Sequence, residues 1–177
     1  MKYTPERTNF MTHEELLHAV APCSLMCHTC PALCDGAICQ TAEKLLRYFD
    51  GYYDFLDARV PPDNQEYRQM VKGHLARLEK YTVRPCPGCR ENPEGHGCIE
   101  GCTVLSCVRE TGREFCAECP DFPCQKTEAF FGKLDPIILN DWKRGTERIR
   151  EIGPEAYYLE KKDQSHYSSF RKEAENK

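Results

Sequence analysis

Eight of the thirteen cysteines in this chain of 177 residues fall between Cys86 and Cys124, and the other five between Cys23 and Cys39. No other feature constrains the fold as tightly. Three local pairs recur in the longer block: Cys86-x2-Cys89, Cys98-x3-Cys102 and Cys116-x2-Cys119, with Cys107 and Cys124 nearby. Two thiolates two residues apart grip one tetrahedral ion from a single tight turn, and two such turns complete a four-sulfur shell. Pro87 and Pro120 each fix φ directly after a cysteine, which lowers the entropy lost when the loop orders. A four-sulfur shell admits zinc or an iron–sulfur cluster, and spacing leaves both open.

The upstream group reads Cys23-x3-Cys27-x2-Cys30-x3-Cys34-x4-Cys39. Its first three cysteines share the spacing of radical enzymes that bind a cluster and S-adenosylmethionine. A chain this short, with no hydrophobic strand before Cys23, argues against that barrel. Three closed four-cysteine sites would consume twelve thiols and leave one, and two sites would leave five as small buried hydrophobes. The expectation is two or three Zn2+ per chain, with an iron–sulfur cluster as the alternative. His28 and His96 lie inside the cysteine groups; with thiols so abundant they are read as solvent-facing or supporting rather than as ligands. A disulfide framework is the competing use of many cysteines. Thirteen is odd, the cysteines are concentrated, and Met1 to Phe10 holds no apolar signal segment. The expected compartment is the reducing cytoplasm.

Formal charge is −4, and three zinc–tetrathiolate centres would take it to about −10. That excludes indiscriminate nucleic-acid binding. No apolar run approaches the length of a membrane-spanning helix. The length fits one compact metal-binding domain, 12–160, in which cysteine groups 23–39 and 86–124 are joined by a helical pair over 41–80, followed by a polar C-terminal tail, 161–177.

The fold class expected is mostly α, with irregular ligand loops and several short helices. Thr12 and Glu15 form a capping-box pattern ahead of Leu16, Leu17 and Val20, and Pro22 ends that helix. Leu45, Phe49, Tyr52 and Leu56 predict a helix over 41–56, weakened at Gly51, and Pro61-Pro62 marks a break. Tyr67, Val71, Leu75 and Leu78 predict a second helix over 64–80, capped by Asp63 or Asn64. The aromatics Tyr48, Phe49, Tyr52, Tyr53 and Phe55 are read first as the shared core of these two helices, and the pair is expected to pack against 86–131. A short helix through Val104, Leu105 and Val108 should end near Gly112. Gln125 to Phe131 follows, with Phe130 and Phe131 expected to close the metal module by aromatic packing, and Asn140 is the predicted cap of a helix stopped by Gly153-Pro154. Lys143, Arg144, Arg148 and Arg150 form its solvent face.

The segments APCSLMCHTCPALC and CTVLSCVRETGREFCAECPDFPC resemble a family of small cysteine-rich bacterial and archaeal proteins, the DUF3795 type, regarded as zinc-binding and without a settled activity. The resemblance implies metal ligation by Cys23, Cys27, Cys30, Cys86, Cys89, Cys102, Cys107, Cys116, Cys119 and Cys124. Cys34, Cys39 and Cys98 stand outside the common pattern and are less certain ligands. Relatives commonly carry glycine after the first cysteine, where this chain has Ser24, so a somewhat different turn is expected there.

Three functions follow. The leading expectation is a zinc-binding scaffold or protein-interaction module with a protein partner. An iron–sulfur or thiol redox protein is the alternative, although the ferredoxin run of cysteines is absent. A zinc hydrolase would need a general base, for which Glu100 and Glu118 are the candidates, but no histidine–carboxylate metal motif accompanies them. Whether the chain is an enzyme is left open.

Overall fold

The computed structural model describes residues 11–59, 64–83, 86–92 and 98–171. The leader through Phe10, Pro61-Pro62 with Asp63, the loop containing Gly95, His96 and Gly97, and the last residues of the tail lie outside the described residues. The fold is mostly α. Among the described residues, β structure is limited to single bridges, Val20 with Met26 and Leu33 with Cys86.

Helix α1, His13–Ala19, begins at the expected capping box: Thr12 Oγ1 accepts from the Glu15 N–H at 3.2 Å, and Glu15 Oε2 accepts from the Thr12 N–H at 2.7 Å. The predicted 41–56 helix is two helices. Helix α2 runs Ala37–Tyr48 and α3 runs Tyr52–Arg59. They are divided at Gly51, whose φ of 71° lies in the left-handed region that a helix interior does not use. Helix α4, Gln65–Thr82, starts after Asn64 as predicted.

These three helices make an arm whose helix–helix packing is internal: α4 against α2, and α3 against α4. The expected packing on 86–131 is not carried by extensive helix–helix contact among the described residues, and the upstream loop reaches that block at the Leu33–Cys86 bridge. The aromatic reading is corrected. Leu56, Ala42 and Cys39 are buried, whereas Tyr48 is 73% and Phe55 56% exposed. Amphipathic periodicity identified the helices, but three short elements side by side enclose too little volume to cover every aromatic.

The main core lies in the other half of the molecule. Helices α5, Thr103–Thr111, α6, Gln125–Gly132, α7, Pro136–Ile152, and α8, Pro154–Lys161, surround a short 3-10 turn at Cys116–Glu118. Helix α7 starts earlier than the Asn140 cap implied. Asp135 is the true N-cap, its Oδ1 accepting from the Ile137 N–H at 2.6 Å, with Pro136 at the first helical position. One cluster joins Leu16, Val20, Met26, Phe115, Ile149 and Tyr157; a second joins Val104, Val108, Phe122, Phe131 and Trp142. Both clusters border α7, so this helix is the spine on which the cysteine loops are hung. Beyond α8 the chain reverses, and a 3-10 turn at Ser168–Phe170 returns to α7.

Candidate metal centre

Sequence-distant cysteines meet because backbone and arginine contacts tie their loops together. The Cys116 N–H donates to Pro22 O at 2.9 Å, and the Cys34 N–H to Cys86 O at 3.1 Å. Each contact joins the upstream group to the downstream block. Two of the pairs turn as the two-residue spacing implies: the Cys30 N–H donates to Cys27 O at 2.8 Å, and the Cys119 N–H to Cys116 O at 3.1 Å.

The thirteen thiols are all unpaired, and all but Cys30 gather in three neighbourhoods. The first holds Cys23, Cys27, Cys89, Cys98 and Cys102, drawn from both sequence groups. The second holds Cys107, Cys116, Cys119 and Cys124. The third holds Cys34, Cys39 and Cys86; Cys30, whose sulfur accepts from the Ala32 N–H at 3.4 Å, lies near Tyr167, as does Cys98 of the first neighbourhood. Cys98, outside the common pattern by sequence, therefore sits in the first neighbourhood. Cys34 and Cys39 sit in the third.

The electrostatics of the first neighbourhood centre on Cys89. Hydrogen bonds from Cys27 and Cys98 pull its thiol well below the ordinary range, against the opposing effect of burial. Cys27 and Cys98 are correspondingly raised, first by that bond to Cys89 and then by burial. Burial pushes Cys23 up to about 12. In the second neighbourhood, burial raises Cys116 to about 11, and the Trp142 indole N–H opposes that rise. Trp142 Nε1 is buried without a hydrogen-bond partner among the described residues, and it lies near the Cys116 sulfur.

Among the described residues, no three histidine, cysteine, aspartate or glutamate side chains stand in an arrangement that would hold a metal ion. The donor chemistry of the thiol neighbourhoods suits a soft tetrahedral ion. As thiols, the sulfurs spread into hydrogen-bonded pairs; ligation requires their deprotonation and rotation onto a common point.

Three arginines hold the loops and were missed in the sequence, where a lone basic residue carries no such signal. Arg90 donates to the carbonyls of Leu17, Val20 at 2.7 Å and Glu114 at 2.6 Å, and its guanidinium lies 4.9 Å from the Phe115 ring centre. It locks the residue after Cys89 to α1 and to the approach of Cys116. Arg109 donates to Cys89 O at 3.3 Å and Asn92 O at 2.7 Å. Arg150, read as solvent-facing, donates to Cys119 O at 3.3 Å and Phe122 O at 3.4 Å. The rest of that basic face pairs locally: Lys143 with Glu128, Arg144 with Asp141, and Arg148 with Glu151 and Glu160.

Other singled-out residues have structural employment. Glu118 accepts from the Phe115 N–H at 2.9 Å and the Glu114 N–H at 3.3 Å, closing the 3-10 turn. His28 packs edge-on against Tyr158, ring centres 5.5 Å apart, and partial burial lowers its pKa. Ser24 is buried with φ 69°, the conformation glycine would adopt there. The expectation of a different turn is corrected: a serine makes a glycine-type turn, fixed by Tyr157 Oη donating to Ser24 O at 2.9 Å.

No helix among the described residues is long and apolar enough to cross a membrane. No curated protein and no solved structure matches the chain. A family model does match, over residues 19–129, from just before the first cysteine to just past the last and well over half of the sequence. Its description is "Protein of unknown function (DUF3795)". The chain belongs to the DUF3795 family.

Proposed function

We propose that this protein is a zinc-stabilised scaffold of the cytoplasm whose helical arm engages a protein partner. The observation that carries the reading is the second neighbourhood: Cys107, Cys116, Cys119 and Cys124 supply a full set of four thiols, and a buried indole N–H left without a hydrogen-bond partner lies near one of them. An N–H donor stabilises a thiolate more than a thiol, so it suits a sulfur that spends its life ligated. Cys23, Cys27, Cys89 and Cys102 would form a second centre, with Cys98 beside it. A third would draw on Cys34, Cys39 and Cys86 and would need a fourth donor.

Zinc bound by four thiolates has no open position and no redox step, so its contribution is to folding. The arm supports the partner half of the reading. Tyr48, Phe55, Met70 and Val83 are each more than half exposed on it, which leaves apolar side chains of the arm open to a partner.

The test is metal content by inductively coupled plasma mass spectrometry on protein purified anaerobically without an affinity-metal column, alongside a visible spectrum. Two or three zinc ions per chain and a colourless sample are expected. Stoichiometric iron with acid-labile sulfide and a band near ~400 nm would overturn the scaffold in favour of the redox alternative. A metal-free chain that unfolds no more readily in chelator than without it would refute both.

A further inference from the structure

A cleft of about 610 Å³ opens beside the first thiol neighbourhood, within the size range of small-molecule sites. Its floor is one face of α7, with Ile138, Trp142 and Gly145 in helical register. The Cys23–Met26 loop forms one wall, and the end of α8 with residues 164–170 forms the other. Phe131 and Ile99 continue the apolar lining.

Two features distinguish this cleft from a packing defect. Ser24, in the wall formed by the Cys23–Met26 loop, holds a left-handed backbone that is unfavourable for a non-glycine residue, and such strain concentrates where ligands are clamped. The charges are also unequal. Five charged side chains line the cleft, and its two carboxylates are satisfied in place: Asp141 pairs with Arg144 at 2.7 Å and Glu160 with Arg148 at 2.8 Å. Lys161 remains, with only the neutral Gln164 Oε1, at 3.1 Å, for its ammonium among the described residues. One cation over an apolar floor asks for one anionic charge on an apolar body.

We propose that this cleft binds a small amphipathic monoanion, a carboxylate on an aliphatic or aromatic body, with Lys161 meeting the head group and the Trp142 face of α7 receiving the body. A bound molecule would lie against Cys23 and Cys98, which border the same cleft. The assignment does not depend on whether the thiols hold a metal, since neither Lys161 nor Trp142 is a thiol.

Trp142 is the only tryptophan in the chain, so its emission reports occupancy directly. Full-length protein of measured metal content is titrated with decanoate and, separately, with decanol, both below their aggregation limits. Decanoate should change the emission saturably, and decanol should bind at least about tenfold more weakly, the order of one charge-assisted hydrogen bond. Lys161→Glu should weaken decanoate by at least the same factor and leave decanol unchanged, while Tyr48→Ser on the remote arm should alter neither. An absent or non-saturable response to decanoate overturns the proposal. So does equal affinity for decanol, a Lys161→Glu protein that binds decanoate normally, or loss of binding in Tyr48→Ser.

Discussion

Gly145 sits in the interior of α7, where replacing glycine by alanine ordinarily adds about 1 kcal/mol of stability. Here the expected sign is reversed. A Cβ at position 145 would stand 2.3 Å from Ser24 Oγ, 2.9 Å from Ser24 Cβ and 3.0 Å from Tyr157 Oη. The first two atoms belong to a buried loop residue, and the third is tied to Ser24 O. None is the free end of a flexible chain. Overpacking of this kind costs about 1–3 kcal/mol, and displacing the Tyr157 hydroxyl from its carbonyl adds about 1 kcal/mol. Gly145→Ala is therefore expected to lose about 1–3 kcal/mol net, or roughly 2–10 °C in Tm for a chain of this length. The assay is thermal and urea unfolding at matched metal content. Ser24→Gly removes two of the three clashing atoms and relieves the left-handed strain, so the double variant should recover about half of the loss. A Gly145→Ala protein as stable as the parent would refute the reasoning, because it would show that Ser24 does not rest on α7.

Other perturbations follow from the same contacts. Arg90→Met keeps the stem over Phe115 but strips hydrogen bonds from three carbonyls; a loss of about 3–5 kcal/mol in urea unfolding is expected, and a loss under 1 kcal/mol would contradict the role given to it. His18 is charged against Asp35 at 2.7 Å and Glu91 at 3.1 Å: partial burial lowers its pKa, but those hydrogen bonds outweigh it and the net shift is upward. A raised folded-state pKa stabilises below the unfolded value of 6.5 and loses that stabilisation as pH rises through the folded value. An NMR titration of His18 should thus show a midpoint above 6.5, and His18→Gln should flatten the stability profile between 6.5 and that midpoint; a midpoint at or below 6.5 would refute the pairing. Leu56→Ala, at the buried centre of the arm, should cost about 2–3 kcal/mol and speed amide exchange in α2–α4 while sparing α7. Equal acceleration in both halves would mean that the arm and the main core unfold as one unit.

Local rules written in short stretches of sequence were enough to place most of the elements. The Thr12–Glu15 box, the Asn64 start, the stops at Gly112 and Gly153-Pro154, and the helical period of α4 are each encoded within a few neighbouring residues. So was the division of the thiols into two sequence groups, and with it membership of the DUF3795 family. The Asn140 cap misread α7 because Asn and Asp carry the same capping chemistry, and Asp135-Pro136 made the stronger start five residues earlier.

What only the tertiary structure decided is which distant residues share a place. Cys23 and Cys27 meet Cys89, Cys98 and Cys102 across some sixty residues of chain because Arg90 bonds three carbonyls from two other segments. Trp142 faces Cys116 because α7 crosses the 3-10 turn, and Ser24 takes a glycine's conformation because Gly145 leaves room for it. Residue type and spacing act over a turn or two of chain. Long-range neighbours are chosen by how complementary surfaces exclude water and satisfy one another's polar groups, and no local pattern contains that choice.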